Sequence, residues 1–201
     1  MPSNQDTAAR ILDGALRGLA RHGRHKLSMS DICREAHVSR GTLYRYFKTK
    51  DDVLDAIGKH VETSFRRAVD AAVAANPAVE DRLRVVLEVM VDYGQTHEAA
   101  ARVVESEPQF TLAFLRREFP NFITIMRKAL EPVLDEAAVV RDGVLTKNQL
   151  VELFLRIALS THLVPSPGSS QIAKRVADLW GALTRSARPE VRPRSAARAV
   201  R

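Results

Sequence analysis

Between Ser39 and Lys50 the chain reads SRGTLYRYFKTK, its densest grouping of side chains able to read a polyanion. Arg40, Gly41, Thr42, Tyr44 and Arg45 are the residues of interest. An arginine forks onto a guanine edge, and a threonine meets a thymine methyl or a phosphate. A tyrosine reaches a phosphate, and a glycine lets the backbone come close. Placed on one side of a helix, this set suits the major groove of duplex DNA.

The neighbouring residues supply that helix. Ser39 is a good N-cap for a short helix from Arg40 to Phe47. Leu43 and Phe47 lie four residues apart, so they share a face and can pack inward. Upstream, Ser28, with Ser30 as the alternative, caps a helix carrying Met29, Ile32 and Ala36. Ala36-His37-Val38 breaks that pattern, which makes the whole a helix-turn-helix. A first helix from about Thr7 to His22 buries Ile11, Leu12, Ala15, Leu16 and Leu19 at helical spacing, and Gly23 ends it. His22, Arg24, His25 and Lys26 come next at the surface, where DNA backbone and solvent are equally open to them. A fourth helix starts near Lys50, with Asp51 and Asp52 in its first turn, where the helix dipole favours acids. Its stripe from Val53 to Val73 outlasts the needs of a three-helix domain, so it serves as a lever into the rest of the chain. Asn76-Pro77 ends it.

The segment Thr7–Ile57 resembles the DNA-binding domain of the TetR family of transcriptional regulators. RILDGALRGLARHG (10–23), LSMSDICREAHVSRGTLYRYFKTKDDVLDAI (27–57) and above all VSRGTLYRYF followed by Lys50 carry the likeness. It covers roughly a quarter of the chain; the remainder resembles the family only in length and helical layout. One position departs: His37 stands where the family usually has glycine, because the turn there tends to positive φ. Histidine tolerates that conformation better than most residues, so the turn is expected to persist. By position in the motif and by the resemblance, Arg40, Gly41, Thr42 and Arg45 are the expected base readers. Ser28, Ser39, Tyr44, Tyr46 and Lys50 are the expected phosphate holders. Packing between small helices is the plainer reading of Tyr44 and Tyr46, and solvent that of Lys48.

Charge is unevenly spread. Residues 1–50 hold ten Lys/Arg against four Asp/Glu, and residues 185–201 hold six Arg against Glu190. Of the net +7, the head therefore carries +6 and the tail +5, leaving −4 between them. A basic head on an acidic body points to nucleic acid. The lone Cys33 excludes an internal disulfide or a multi-cysteine metal site and reads as helix packing in a reducing cytoplasm. No apolar run approaches the ~18 residues of a membrane span, and polar Met1–Thr7 does not look like a secretory leader. No cofactor or metal motif appears. Without a Gly-rich phosphate loop, HExxH or GxSxG, no enzyme is expected.

The expected architecture is all-α, with about nine helices. A three-helix DNA-binding domain spans residues 1–50, with Met1–Asp6 as a mobile arm. A helical effector-binding and dimerisation domain spans 51–187, and a basic tail spans 188–201. In the body, helix five runs from about Val79 to His97, followed by a short helix, Glu98–Ser106, and another holding Phe110 and Phe114. Pro120 reads as the start of the next helix, which Pro132 should kink or divide. Thr146 caps a helix to about Leu163, with Leu150, Leu153, Phe154, Ile157 and Ala158 inward. The last helix, from Gln171 to about Ala187, carries two apolar stripes. That surplus, and the resemblance, imply a homodimer through the last two helices, able to read a near-palindromic double-stranded operator with half-sites ~34–36 Å apart.

Met90, Tyr93, His97, Phe114, Phe122, Met126, Phe154 and His162 are the candidate lining of an effector cavity, with Phe110 beside them. For most of them core packing is the plainer reading. Their character implies a small hydrophobic effector. Three functions compete: a repressor released by such a ligand, a DNA-binding regulator controlled by protein partners instead, and an enzyme. Repression and activation are not distinguishable from residues.

Overall fold

The computed structural model describes residues 4–186, without the side chains of 4, 5, 94–96, 185 and 186. The expected basic tail, 188–201, lies outside the described residues. Ten α-helices and no strand occur among the described residues. They are α1 (Asn4–Lys26), α2 (Met29–Ala36), α3 (Arg40–Tyr46), α4 (Lys50–Ala75), α5 (Arg82–Thr96), α6 (Glu98–Ser106), α7 (Pro108–Glu136), α8 (Ala138–Arg141), α9 (Lys147–Leu163) and α10 (Ile172–Ser186).

Local chemistry sets the small helices. Ser28 Oγ accepts from the Asp31 amide at 3.2 Å, and the Asp31 carboxylate accepts from the Ser28 amide at 3.0 Å. This reciprocal pairing satisfies two otherwise orphaned donors at the start of α2. Thr49 and Asp52 repeat it at α4, and Thr146 and Gln149 at α9. His37 sits at φ 52°, ψ 47°, the left-handed turn expected of it, and its amide donates to the carbonyl of Arg34 at 3.3 Å.

These helices enclose two apolar cores. Ile11, Leu12, Ala15, Leu19, Ile32, Ala36, Leu43, Val53, Leu54 and Ile57 form the first, in the head. Phe65, Val69, Leu87, Met126, Leu130, Leu134 and Leu155 belong to the second, in the body. Helix α4 contributes to both, so it physically joins them. Gly58 and the buried Glu62, gripped by Lys59 and Arg66, stand between its two apolar stretches.

The fold differs from the expected layout at several points. Helix α1 already includes Asn4 to Asp6, part of the expected arm, and runs to Lys26 through a break at Gly23 (φ 71°, ψ 161°). Helix α5 begins at Arg82 rather than near Val79. Pro120 does not start a helix: α7 is continuous through both Pro120 and Pro132. Each proline forfeits one backbone hydrogen bond. The buried stripe Phe122, Ile125, Met126, Leu130, Val133 and Leu134 holds the helix together nonetheless, and the Pro120 ring lies at the surface. Short α8 is an additional element, which brings the described helices to ten rather than about nine. On α9 the inward side is Leu150, Val151, Phe154, Leu155 and Ala158, so Leu153 and Ile157 face out.

Candidate nucleic-acid interface and ligand cleft

Leu43 is fully buried and anchors α3, while Ser39, Arg40, Gly41, Tyr44 and Arg45 are exposed around it. Thr42 and Tyr46 are half-buried. The exposed side therefore presents one contiguous set of donors and acceptors. Ser39 Oγ accepts from the Thr42 amide at 3.1 Å and pairs with Thr42 Oγ1 at 2.9 Å. The Arg45 guanidinium lies 5.3 Å from the centre of the Tyr46 ring, a cation–π contact that orients it. A methyl group on Gly41 would meet nothing nearer than Ser39 Oγ, at 4.0 Å. No neighbour among the described residues demands glycine there.

The flanking cations have partners of their own. Lys50 Nζ donates to the Arg24 carbonyl at 3.0 Å, tying the start of α4 to the end of α1. Lys48 Nζ donates to the Tyr44 carbonyl at 3.0 Å. Ser28 is engaged in its cap.

Beneath the head, an apolar cleft of about 930 Å3 opens among α4, α5, α6, α7 and α9. Of the eight candidate lining residues, Met90, Tyr93, Phe114, Phe122 and His162 border it. Three do not. Met126 is fully buried in the body core. Phe154 packs edge-on against Trp180, centroids 5.6 Å apart. His97 is exposed at the α5–α6 corner, its ring tilted against that of Tyr93 with centroids 4.3 Å apart, and it borders a separate groove lined by α1, α4 and that corner. Val103, Phe110 and Thr111 also belong to the cleft wall. Sequence pattern does not mark Val103 and Thr111, because their lining role depends on the sharp corner between α6 and α7.

Several polar groups of the cleft have partners. His162 Nε2 lies 2.8 Å from the Met90 carbonyl, which can only accept, so the ring donates there and bridges α9 to α5. Burial raises the Tyr93 phenol above its ordinary pKa, against the effect of a hydrogen bond with Ser64. Its hydroxyl lies 3.5 Å from the Val61 carbonyl on α4. The rest of the wall is mainly apolar, with Glu98, Glu105, Thr111 and Thr161 among its further polar members.

On the far side, α9 and α10 leave an apolar surface uncovered in the single chain. Leu153 is 49% exposed, Leu179 61% and Leu183 59%. No helix among the described residues is long and apolar enough to cross a membrane.

Comparison with known proteins fits this layout. Residues 11–57 match the family model described as bacterial regulatory proteins, tetR family. The Fatty acid metabolism regulator protein of Bacillus subtilis is 30% identical over 77 residues, covering 38% of this chain and 40% of that protein. The alignment thus spans well under half of that relative. Among solved structures, the fatty acid degradation regulator FadR of Bacillus halodurans superposes with a TM-score of 0.66 at 17% identity, over 89% of this chain and 96% of that one. FadR of Bacillus subtilis, solved in complex with stearoyl-CoA, gives 0.63 at 18% identity, over 85% and 96%. Residues 11–57 thus form a DNA-binding domain of the TetR-family type, and the all-helical fold of the described chain is shared with TetR-family transcriptional regulators.

Proposed function

We propose that the protein is a homodimeric repressor that leaves its operator when a long-chain acyl ligand, carried as a thioester, fills the cleft. The observation that carries this reading is the apolar cleft of about 930 Å3 beneath the exposed α3. Its size falls within the roughly 300–1,000 Å3 of ordinary ligand sites, and its wall is predominantly aromatic and aliphatic. The stearoyl-CoA complex of the similar Bacillus subtilis fold supports the choice of ligand class.

Arg40, Gly41, Thr42 and Arg45 read base edges, while Ser28, Ser39, Tyr44, Tyr46 and Lys50 hold phosphates. A domain of residues 1–50 does this work, and residues 51–187 hold the ligand and the partner. The partner copy covers Leu153, Leu179 and Leu183. The pair of heads then reads a near-palindrome, at a separation that the body sets. Ligand releases DNA only by favouring a different separation, and a change of a few kcal/mol suffices.

The test uses stearoyl-CoA, octanoyl-CoA and free CoA with a duplex selected from random DNA. Stearoyl-CoA is expected to raise the thermal midpoint and displace the duplex. Octanoyl-CoA should be far weaker, since affinity changes roughly tenfold for every two methylenes buried. Free CoA acting as well as stearoyl-CoA, or no displacement by any of the three, would refute the acyl reading.

A further inference from the structure

Glu107 stands at the corner between α6 and α7, and its side chain reaches away from the cleft. Its carboxylate Oε1 accepts from the Arg24 amide at 2.8 Å, across 83 positions of sequence. The same oxygen lies 2.6 Å from where a Cβ on Gly23 would stand, so the carboxylate fills the space that the missing side chain leaves. Gly23, at φ 71°, turns the chain there. The other end of the same residue is also held, because the Arg24 carbonyl accepts from Lys50 Nζ. The Leu27 amide closes the turn on the Gly23 carbonyl at 3.0 Å, with the Leu27 side chain buried in the head. Arg24, His25 and Lys26 are left pointing into solvent beside Lys50.

The corner that carries Glu107 belongs to both halves of the molecule. Val103 is buried in the head core and Phe110 packs against it, yet both border the cleft. The Glu107 amide donates to the Val103 carbonyl at 2.9 Å, and the Thr111 amide to the Glu107 carbonyl at 2.9 Å. Thr111 Oγ1 also reaches the Val103 carbonyl at 3.4 Å. The corner is a stiff piece with an apolar side in the cleft and an acidic tip on the last turn of α1.

We infer that Arg24–Lys26 is a further phosphate-holding turn and that Glu107, a residue of the body, is its positioning residue. The body then reaches the DNA-contacting surface by a second route besides the length of α4. The inference rests on the DNA-binding reading and on no choice of ligand. It carries an unusual sign. Plain electrostatics says that removing a carboxylate near a polyanion tightens binding. If Glu107 positions the turn through its acceptor oxygen, losing that oxygen weakens binding instead.

The test measures duplex affinity against salt for the full chain, with a duplex selected from random DNA. The variants are Glu107→Ala, Glu107→Gln, R24A/K26A and the triple combination. Glu107→Ala is expected to weaken binding about tenfold and flatten the salt dependence by about one phosphate contact. Glu107→Gln, which keeps an acceptor and drops the charge, should bind as well as the parent or slightly better. R24A/K26A should flatten the slope by about two contacts, and adding Glu107→Ala to it should change nothing further. Amide exchange at Arg24 should accelerate in Glu107→Ala alone of the single variants. Tighter binding by Glu107→Ala, a full additional loss in the triple variant, or an unchanged slope in the surface variant R24A/K26A would each overturn the assignment. Parent protein that binds no duplex would overturn the DNA-binding reading with it, whereas a normal parent with an unaffected Glu107→Ala sinks this inference alone.

Discussion

The head and the body are built to opposite specifications. In the head, helices of seven and eight residues are pinned by side chains three positions away, and α1 meets α2 at contact distance. A Cβ on Gly14 would lie 2.6 Å from the Ala36 backbone. In the body, long helices enclose an open apolar cleft whose firmly placed polar bridges include His162 to Met90. A surface that reads hydrogen-bond patterns needs donors held rigidly, whereas a site that accepts hydrocarbon needs space and tolerates play. Helix α4 runs through both cores, so it is the element through which a ligand in that space would shift the donors, as proposed above.

The largest expected effect comes from the body. L179D/L183D places charge on the exposed side of α10 and should leave each chain folded. Sedimentation should then show a monomer, and duplex affinity should fall by about a hundredfold or more, since paired binding is lost. A monomer that binds DNA as tightly as before would break the link drawn between the two regions.

Within the head, two glycines sharpen the contrast. Gly14→Ala forces a methyl against the Ala36 backbone and should cost about 3 kcal/mol, read by urea unfolding. Gly41→Ala meets open space, so helix propensity should make it neutral or up to about 1 kcal/mol more stable. Its duplex affinity should nonetheless fall, because the added methyl stands on the surface that approaches DNA. Equal effects of the two substitutions on stability would mean that the helices do not approach as described.

Arg40→Ala and Lys50→Ala should separate reading from holding. The first should relax base preference at one position, at a cost of about 1–3 kcal/mol on the preferred sequence. The second should weaken all duplexes alike and flatten the salt dependence, in a selection repeated at several salt concentrations.

The smallest effect concerns the joint between α1 and α4. His60 Nε2 lies 2.7 Å from Asp13 Oδ1, and that hydrogen bond holds the Asp13 carboxyl below its ordinary value of 3.8. A carboxyl with a depressed folded-state pKa contributes stability above its unfolded value and loses it as pH falls through the folded value. Asp13→Asn should therefore lower the thermal midpoint slightly at about pH 5, and the difference from the parent should disappear once the pH has fallen through the depressed folded-state value. A difference that persists in acid would point to packing rather than charge.

Legibility in the sequence divides along the same line as the molecule. Ser28, Ser39 and His37 announce α2, the turn and α3 because capping chemistry is local: the partner of each group lies within a few residues. Thr49 is equally local, three residues before Asp52, but Lys50 and its acidic neighbours are the louder marker of the start of α4. The body hides its decisive features in contacts between distant segments. The continuity of α7 through Pro120 depends on the stripe beyond it. The facing of Leu153 and Ile157 depends on how α9 rolls onto its neighbours, an angle that periodicity leaves open. Met126 and Phe154 look like cavity residues by type, but one packs in the centre of the core and the other pairs with Trp180. The bond from Arg24 to Glu107 joins residues 83 positions apart and leaves no local trace.

On the proposed function, α3 enters duplex DNA as one of a symmetric pair whose spacing the body sets. Fluorescence anisotropy on a duplex carrying both selected half-sites tests it directly, when compared with the same duplex lengthened by about five base pairs between them, half a turn of the helix. The insertion should lower affinity to the level of a single half-site. Affinity indifferent to the insertion would contradict the proposed function.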